Sequence, residues 1–257
     1  MKQISPRANS LDALWMSAIP PDQTLNPKRF DPELLKGLPA TAQRYLLHAI
    51  APGTVLASAV RLQMHGEIKL KNWVPFTAEQ VISWDEGMIW NATVLMRGIP
   101  VKGYDRLLDH EGAMQWKILG LIPMMRVTGA DITRSVAGRI LAESVWLPSV
   151  FCRSSVEWKE QETSQVSVSV TMEGERPELT FAVSDTGQLQ SVTLQRWGNP
   201  ENAAYHYVPF GGSADQEKTF DGYTIPTRLR VGWYFGTPQS DTDGEFFRCT
   251  IDHAEFR

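Results

Sequence analysis

Residues 60–70 read VRLQMHGEIKL, and this stretch decides the fold. Val60, Leu62, Met64, Ile68 and Leu70 share one parity; Arg61, Gln63, His65, Glu67 and Lys69 share the other. A period of two is the signature of a β-strand with one face buried. At ~3.3 Å per residue the strand is about 36 Å long. Downstream, Val74, Phe76, Ala78, Ile82 and Trp84 repeat the alternation, and Asp85-Glu86-Gly87 makes a turn. Met88, Trp90, Ala92, Val94 and Met96 alternate next, closed by Arg97-Gly98. Residues 99–108 and 113–119 read as two further strands, separated by Asp109-His110-Glu111-Gly112. Short turns between successive strands imply an antiparallel meander.

The period changes over residues 128–145. Ile132, Val136 and Ile140 fall on one helical stripe with Leu141 beside it, while Arg134 and Glu143 lie elsewhere. Thr128 or Asp131 is the expected N-cap, and Leu147-Pro148 the expected stop. Alternation then resumes through Val166–Met172, Leu179–Val183 and Val192–Leu194, with a turn at Asp185-Thr186-Gly187. The last two strands span 225–233 and 246–251 and are joined by 237–244. That makes ten or eleven strands. Upstream, Asp31-Pro32-Glu33 is a helix start, and Ala42, Tyr45, Leu46 and Ala49 mark the buried face of a second helical piece after Pro39.

The expected fold class is α+β, mainly β. A large curved antiparallel, half-barrel-like sheet carries a central amphipathic helix on its concave face, with helices at the N-terminus. Residues 1–30 read as an N-terminal arm and 31–257 as a single β-rich domain. Two half-sheets meeting near residue 150 are the alternative.

Composition narrows the function classes. A hydrophobic content of 42% with 21% charged residues is that of a globular chain. A net charge of −4 with scattered Lys and Arg excludes the clustered cations of a nucleic-acid binder. Two cysteines, Cys152 and Cys249, are too few for a disulfide framework or a zinc site, and Cys249 reads as core. No run of ~18 apolar residues provides a membrane span. The first residues lack the apolar segment of a signal peptide, so the expected compartment is the cytoplasm. The nucleophile elbow, P-loop, dinucleotide fingerprint and zinc-helix motif are all absent, and no cofactor or metal is expected. Asp241-Thr242-Asp243-Gly244 reads as a polar turn, lacking the closing Glu of a calcium loop.

Three features carry the candidate site. RILAESVWLP, residues 139–148, places Glu143 four residues after Arg139, the spacing of a surface ion pair, and three before Trp146. Should Glu143 lean inward it needs a cation, and Arg61 and Arg228 are the candidates. Ile118 to Val127 is an apolar lead-in to the helix, with Met124 and Met125 beside Pro123. It suits either a core segment or the lining of an apolar ligand site. Asp105 and Asp109 lie in a cluster of both signs that builds either an acid/base pair or a solvated hairpin end.

Arg44-Tyr45-Leu46, WVPFTAEQ at 73–80, Leu119-Gly120-Leu121, Ala142-Glu143 with Trp146 and Pro148, and Ile225-Pro226-Thr227 with Trp233 occur in that order. Over residues 38–257 this set resembles a bacterial family of uncharacterised proteins, catalogued as a domain of unknown function. The resemblance implies no reaction. Some members begin with membrane-spanning segments that this chain lacks. The sheet-plus-helix organisation is also similar to that of half-barrel lipoprotein carriers of the bacterial envelope.

Three function classes follow. The first is a protein that binds an apolar or amphipathic small molecule between sheet and helix, through Met124, Met125, Glu143, Trp146, Arg61 and Arg228. The second is a hydrolase or isomerase using Glu143 with Asp105 or Asp109. The third is an interaction module without a ligand.

Overall fold

The computed structural model describes residues 10–18, 27–162, 164–240 and 244–257. Residues 1–9 and 19–26 of the arm, and 241–243 of the calcium-loop-like turn, lie outside them. Six strands come first: β1 (Ala59–Lys69), β2 (Trp73–Ser83), β3 (Gly87–Met96), β4 (Ile99–Leu108), β5 (Glu111–Ile118) and β6 (Ile122–Thr128). Seven follow the central helix: β7 (Glu157–Glu160), β8 (Gln165–Ser169), β9 (Glu178–Val183), β10 (Leu189–Gly198), β11 (His206–Phe220), β12 (Tyr223–Trp233) and β13 (Glu245–Phe256). All thirteen form one sheet in the order β6-β5-β4-β3-β2-β1-β13-β12-β11-β10-β9-β8-β7. The expected class, α+β and mainly β with a curved antiparallel sheet, is the one found.

The alternative of two half-sheets meeting near residue 150 is corrected by this order. Each half of the chain is a meander, but the two join where β1 pairs antiparallel with β13, from Val60 opposite Phe256 to Ile68 opposite Phe247. Residues near 150 instead connect the two outer edges, as buried 3₁₀ turns at Ser144–Trp146 and Pro148–Cys152. Gly66 sits at the join opposite Cys249, and a Cβ there would lie 1.9 Å from the Arg248 carbonyl oxygen. The seam therefore admits only glycine at this position.

Among the described residues, three α-helices accompany the sheet. α1 (Leu11–Ser17) lies within the stretch read as an arm. Its Leu11, Leu14 and Trp15 cover Ala59, Val81 and Ile89 on the convex face. α2 (Ala40–Ala49) buries Ala42, Tyr45, Leu46 and Ala49, the face its spacing predicts. Asp31 caps the 3₁₀ turn Pro32–Leu35 as expected, its carboxylate accepting from the Glu33 N–H.

α3 (Ala130–Glu143) is the central helix. Its N-cap is Gly129, not Thr128 or Asp131. Thr133 serves the first turn instead, donating to the Gly129 carbonyl at 3.1 Å and accepting from Gly112 N–H at 2.9 Å. Asp131 accepts from the Trp197 indole at 2.9 Å. α3 packs on β4, β5 and β6 on one side and on β10 on the other. Strands far apart in the sheet order can touch one helix only if the sheet curls around it. The curl stays open, because β6 and β7 are unpaired edges.

Two readings fail at the edges. The 118–127 segment is not core: Leu121 in the turn before β6, and Ile122, Met124 and Met125 of this edge strand, are all exposed. β7 and β11 carry no clean alternation, and with β6 they raise the strand count to thirteen.

Candidate functional site: a cleft beneath the central helix

Between α3 and the concave face lies a cleft of about 540 Å³. Strand parity builds its walls. Even positions of β3 place Trp90 and Val94 inward, and odd positions of β4 place Val101 and Asp105 inward beside them. Trp116 from β5, Phe210 from β11, Trp233 from β12 and Phe247 from β13 complete an aromatic lining. These rings meet edge-on: Trp90 and Trp116 centroids are 6.0 Å apart, Phe210 and Trp233 5.0 Å. Such contacts favour a rigid wall over a collapsible one.

A charged cluster interrupts the apolar lining. Arg139 donates to Asp105 Oδ2 through Nη1 and to Glu143 Oε1 through Nε, each at 2.7 Å. The three side chains are only 13, 12 and 15% exposed. Gln80 donates to the other Glu143 oxygen at 2.6 Å, and the Arg139 guanidinium lies 4.8 Å from the Trp90 ring. The i,i+4 pair expected at the surface is thus formed, but buried. Burial pulls the Arg139 pKa down, yet the charges of Glu143 and Asp105 more than reverse it, and the net shift is upward. Asp105 is raised, because burial outweighs the attraction of Arg139 and Arg196 and nearby Glu143 adds to it. Asp105 Oδ1 and Trp90 Nε1 are buried without a hydrogen-bond partner among the described residues.

Arg196 is the second cation. It occupies an inward slot of β10 after Val192 and Leu194. Its Nε donates to the Ser135 carbonyl at 3.0 Å and Nη2 to Ser135 Oγ at 3.4 Å, both neutral acceptors. It makes no ion pair among the described residues, and its guanidinium lies over Phe210 (4.5 Å) and Trp233 (5.0 Å). Burial and then the repulsion of Arg139 lower its pKa to about 10, so it remains charged at neutral pH. Gly138 of α3 makes room for it: a Cβ there would lie 2.9 Å from Arg196 Cγ.

Of the sequence candidates, Met124, Met125, Glu143, Trp146 and Asp105 line this cleft. Trp146 is fixed by its indole N–H, which donates to the Pro226 carbonyl at 3.0 Å. Arg61 and Arg228 do not reach it. Arg61 is on the opposite face of β1, bonded to Glu79 at 2.6 Å and to Asp12 of α1 at 2.9 Å. Arg228 is an exposed residue of β12. Parity explains both, since their inward neighbours are Leu62 and Leu229. Asp109 is exposed in the β4–β5 turn, with φ +51°, and takes no part. Arg196 was missed; the signal was the shared parity of Val192, Leu194 and Arg196, a charge in an apolar series. Among the described residues no group of His, Cys, Asp and Glu is arranged to hold a metal. No helix among them is long and apolar enough to cross a membrane.

The chain is similar to solved structures over most of its length. A LolA superfamily protein from Nitrosomonas europaea is similar at a TM-score of 0.44 and 7% identity, over 85% of this chain and 92% of that one. A DUF1329 family protein from Desulfovibrio piger is similar at a TM-score of 0.38 and 9% identity, over 78% of this chain and 86% of that one. No curated protein matches the chain's sequence. A family model matches residues 36–256, and the chain belongs to that family, DUF6920, a family of unknown function.

Proposed function

We propose that the protein binds an amphipathic small molecule in the cleft, with its apolar chain against the aromatic lining and an acidic head at Arg196. The observation that carries this reading is Arg196 itself. A buried guanidinium bonded only to neutral acceptors, in a cleft walled by Trp and Phe, is complementary to an anion bearing an apolar tail. Arg139 cannot serve in the same way, because Asp105 and Glu143 already occupy it. The volume of about 540 Å³ falls in the usual range for small-molecule sites.

Calorimetric titration with dodecanoate and with dodecanol tests the assignment. Arg196→Met lowers dodecanoate affinity by roughly tenfold or more, as expected for a charged hydrogen bond, and leaves dodecanol unchanged. Equal losses for both probes, or none for either, count against an acidic head at Arg196.

A hydrolase or isomerase is the second reading, favoured by one observation: Asp105 has a free Oδ1 and a raised pKa inside the cleft. Ester and glycoside turnover that Asp105→Asn abolishes supports it; identical background rates in both proteins oppose it.

A further inference from the structure

The cleft opens toward one end of the sheet, and that end has a surface the cleft does not explain. The β1–β2, β3–β4 and β5–β6 hairpin tips lie side by side there, because the registers pair Lys69 with Trp73, Met96 with Ile99 and Ile118 with Ile122. Each tip presents apolar side chains to solvent. Leu70, Leu95, Ile99, Leu119 and Ile122 are about half exposed, and Leu121 is 78% exposed. Monomeric proteins seldom leave so many large apolar side chains together in water.

Within the three tip segments the charges are of one sign, and Glu67 and Glu245 beside the first tip are paired with Arg248. Residues 68–73, 94–103 and 116–127 contain Lys69, Lys71, Arg97, Lys102, Lys117 and Arg126, and no Asp or Glu, in a chain of net charge −4. None of the six is buried. None makes an ion pair among the described residues, whereas Arg61, Arg134, Arg139 and Arg153 each do. Apolar tips ringed by unpaired cations are the pattern of an interfacial surface: the tips enter the acyl boundary and the cations meet anionic head groups. A second copy of the chain would present the same six cations to themselves, so self-pairing of this patch is opposed by repulsion.

We infer that these three hairpin tips dock the protein on the surface of an anionic phospholipid bilayer, with the cleft mouth facing the lipid. The interaction is peripheral and does not depend on the cleft being occupied.

Flotation of the full chain with vesicles of phosphatidylcholine, alone or with one third phosphatidylglycerol, tests this. Binding is expected only to the anionic vesicles, and to weaken as salt shortens the range of the attraction. Leu121→Asp and the pair Arg97→Glu with Lys117→Glu each reduce it by about tenfold or more. Their far-ultraviolet dichroism and thermal midpoints stay unchanged, since all three side chains lie outside the core. Arg196→Met, which acts within the cleft, leaves vesicle binding intact, so failure here is separable from failure of the ligand reading. The inference is overturned by equal binding to both vesicle types, by vesicle binding that Leu121→Asp leaves unchanged, or by a stable dimer that Leu121→Asp dissociates.

Discussion

Replacing Arg139 with Met is expected to destabilise the fold by about 3–5 kcal/mol, because two buried carboxylates lose the cation that hydrogen-bonds to both. A surface i,i+4 pair would cost only about 0.3–0.5 kcal/mol, so urea unfolding separates the two cases by a wide margin. The 13% exposure of the Arg139 side chain places it in the first class. The triple variant Arg139→Met, Asp105→Asn, Glu143→Gln recovers most of the loss, since removing a whole buried ionic group leaves no uncompensated charge.

Asp105 gives the same cluster a pH signature. Its pKa is raised in the folded protein, chiefly by burial, so between the unfolded and folded values the folded chain retains a proton that the unfolded chain has released. The stability this contributes is complete below the unfolded value of 3.8 and is lost as pH rises through the folded one. Asp105→Asn does not titrate, and so gains on the wild type as pH rises through that window.

The second large effect concerns the cleft. Ala142 lies on its α3 wall and is buried. Ala142→Trp directs an indole into the space the acyl chain would occupy. Dodecanoate and dodecanol affinities both fall, by about a hundredfold or more, because several buried methylenes at ~0.8 kcal/mol each are displaced. The contrast with Arg196→Met, which spares dodecanol, separates loss of the tail site from loss of the head site. Val231→Trp, from the opposite wall of the cleft, gives the same result by a different route.

Much of this architecture was legible in the sequence, and the illegible parts have physical causes. β1 to β3 are legible because their inner face packs on the core along its length, while their outer face is covered by α1 only at one end. β11 was invisible because its FGGSADQEKTF run mixes small and polar residues on both faces. The core reading of β6 fails although the strand is apolar, because it is an edge strand, while its Met124 and Met125 line the cleft. Pro123 within β6 suits an edge strand. The β1–β13 seam joins segments from opposite ends of the chain and has no local signal at all.

The site divides in the same way. Glu143, Trp146, Met124 and Met125 announced themselves through their position around the helix. Arg139 reads from its spacing as a surface residue, since helical spacing cannot reveal that a curled sheet closes over that face. Asp105 and Arg196 were readable by parity, each a charge in an inward slot, but parity is persuasive only once the neighbouring strands are known to be buried. Arg61 and Arg228 fail the same parity test.

Native mass spectrometry of the chain mixed with equimolar dodecanoate and dodecanol tests the central claim most directly. A one-to-one dodecanoate complex that dominates over dodecanol, and is absent from Ala142→Trp, is the predicted result. A spectrum of bare protein alone, or adducts that Ala142→Trp retains at wild-type abundance, would contradict a binding cleft beneath α3.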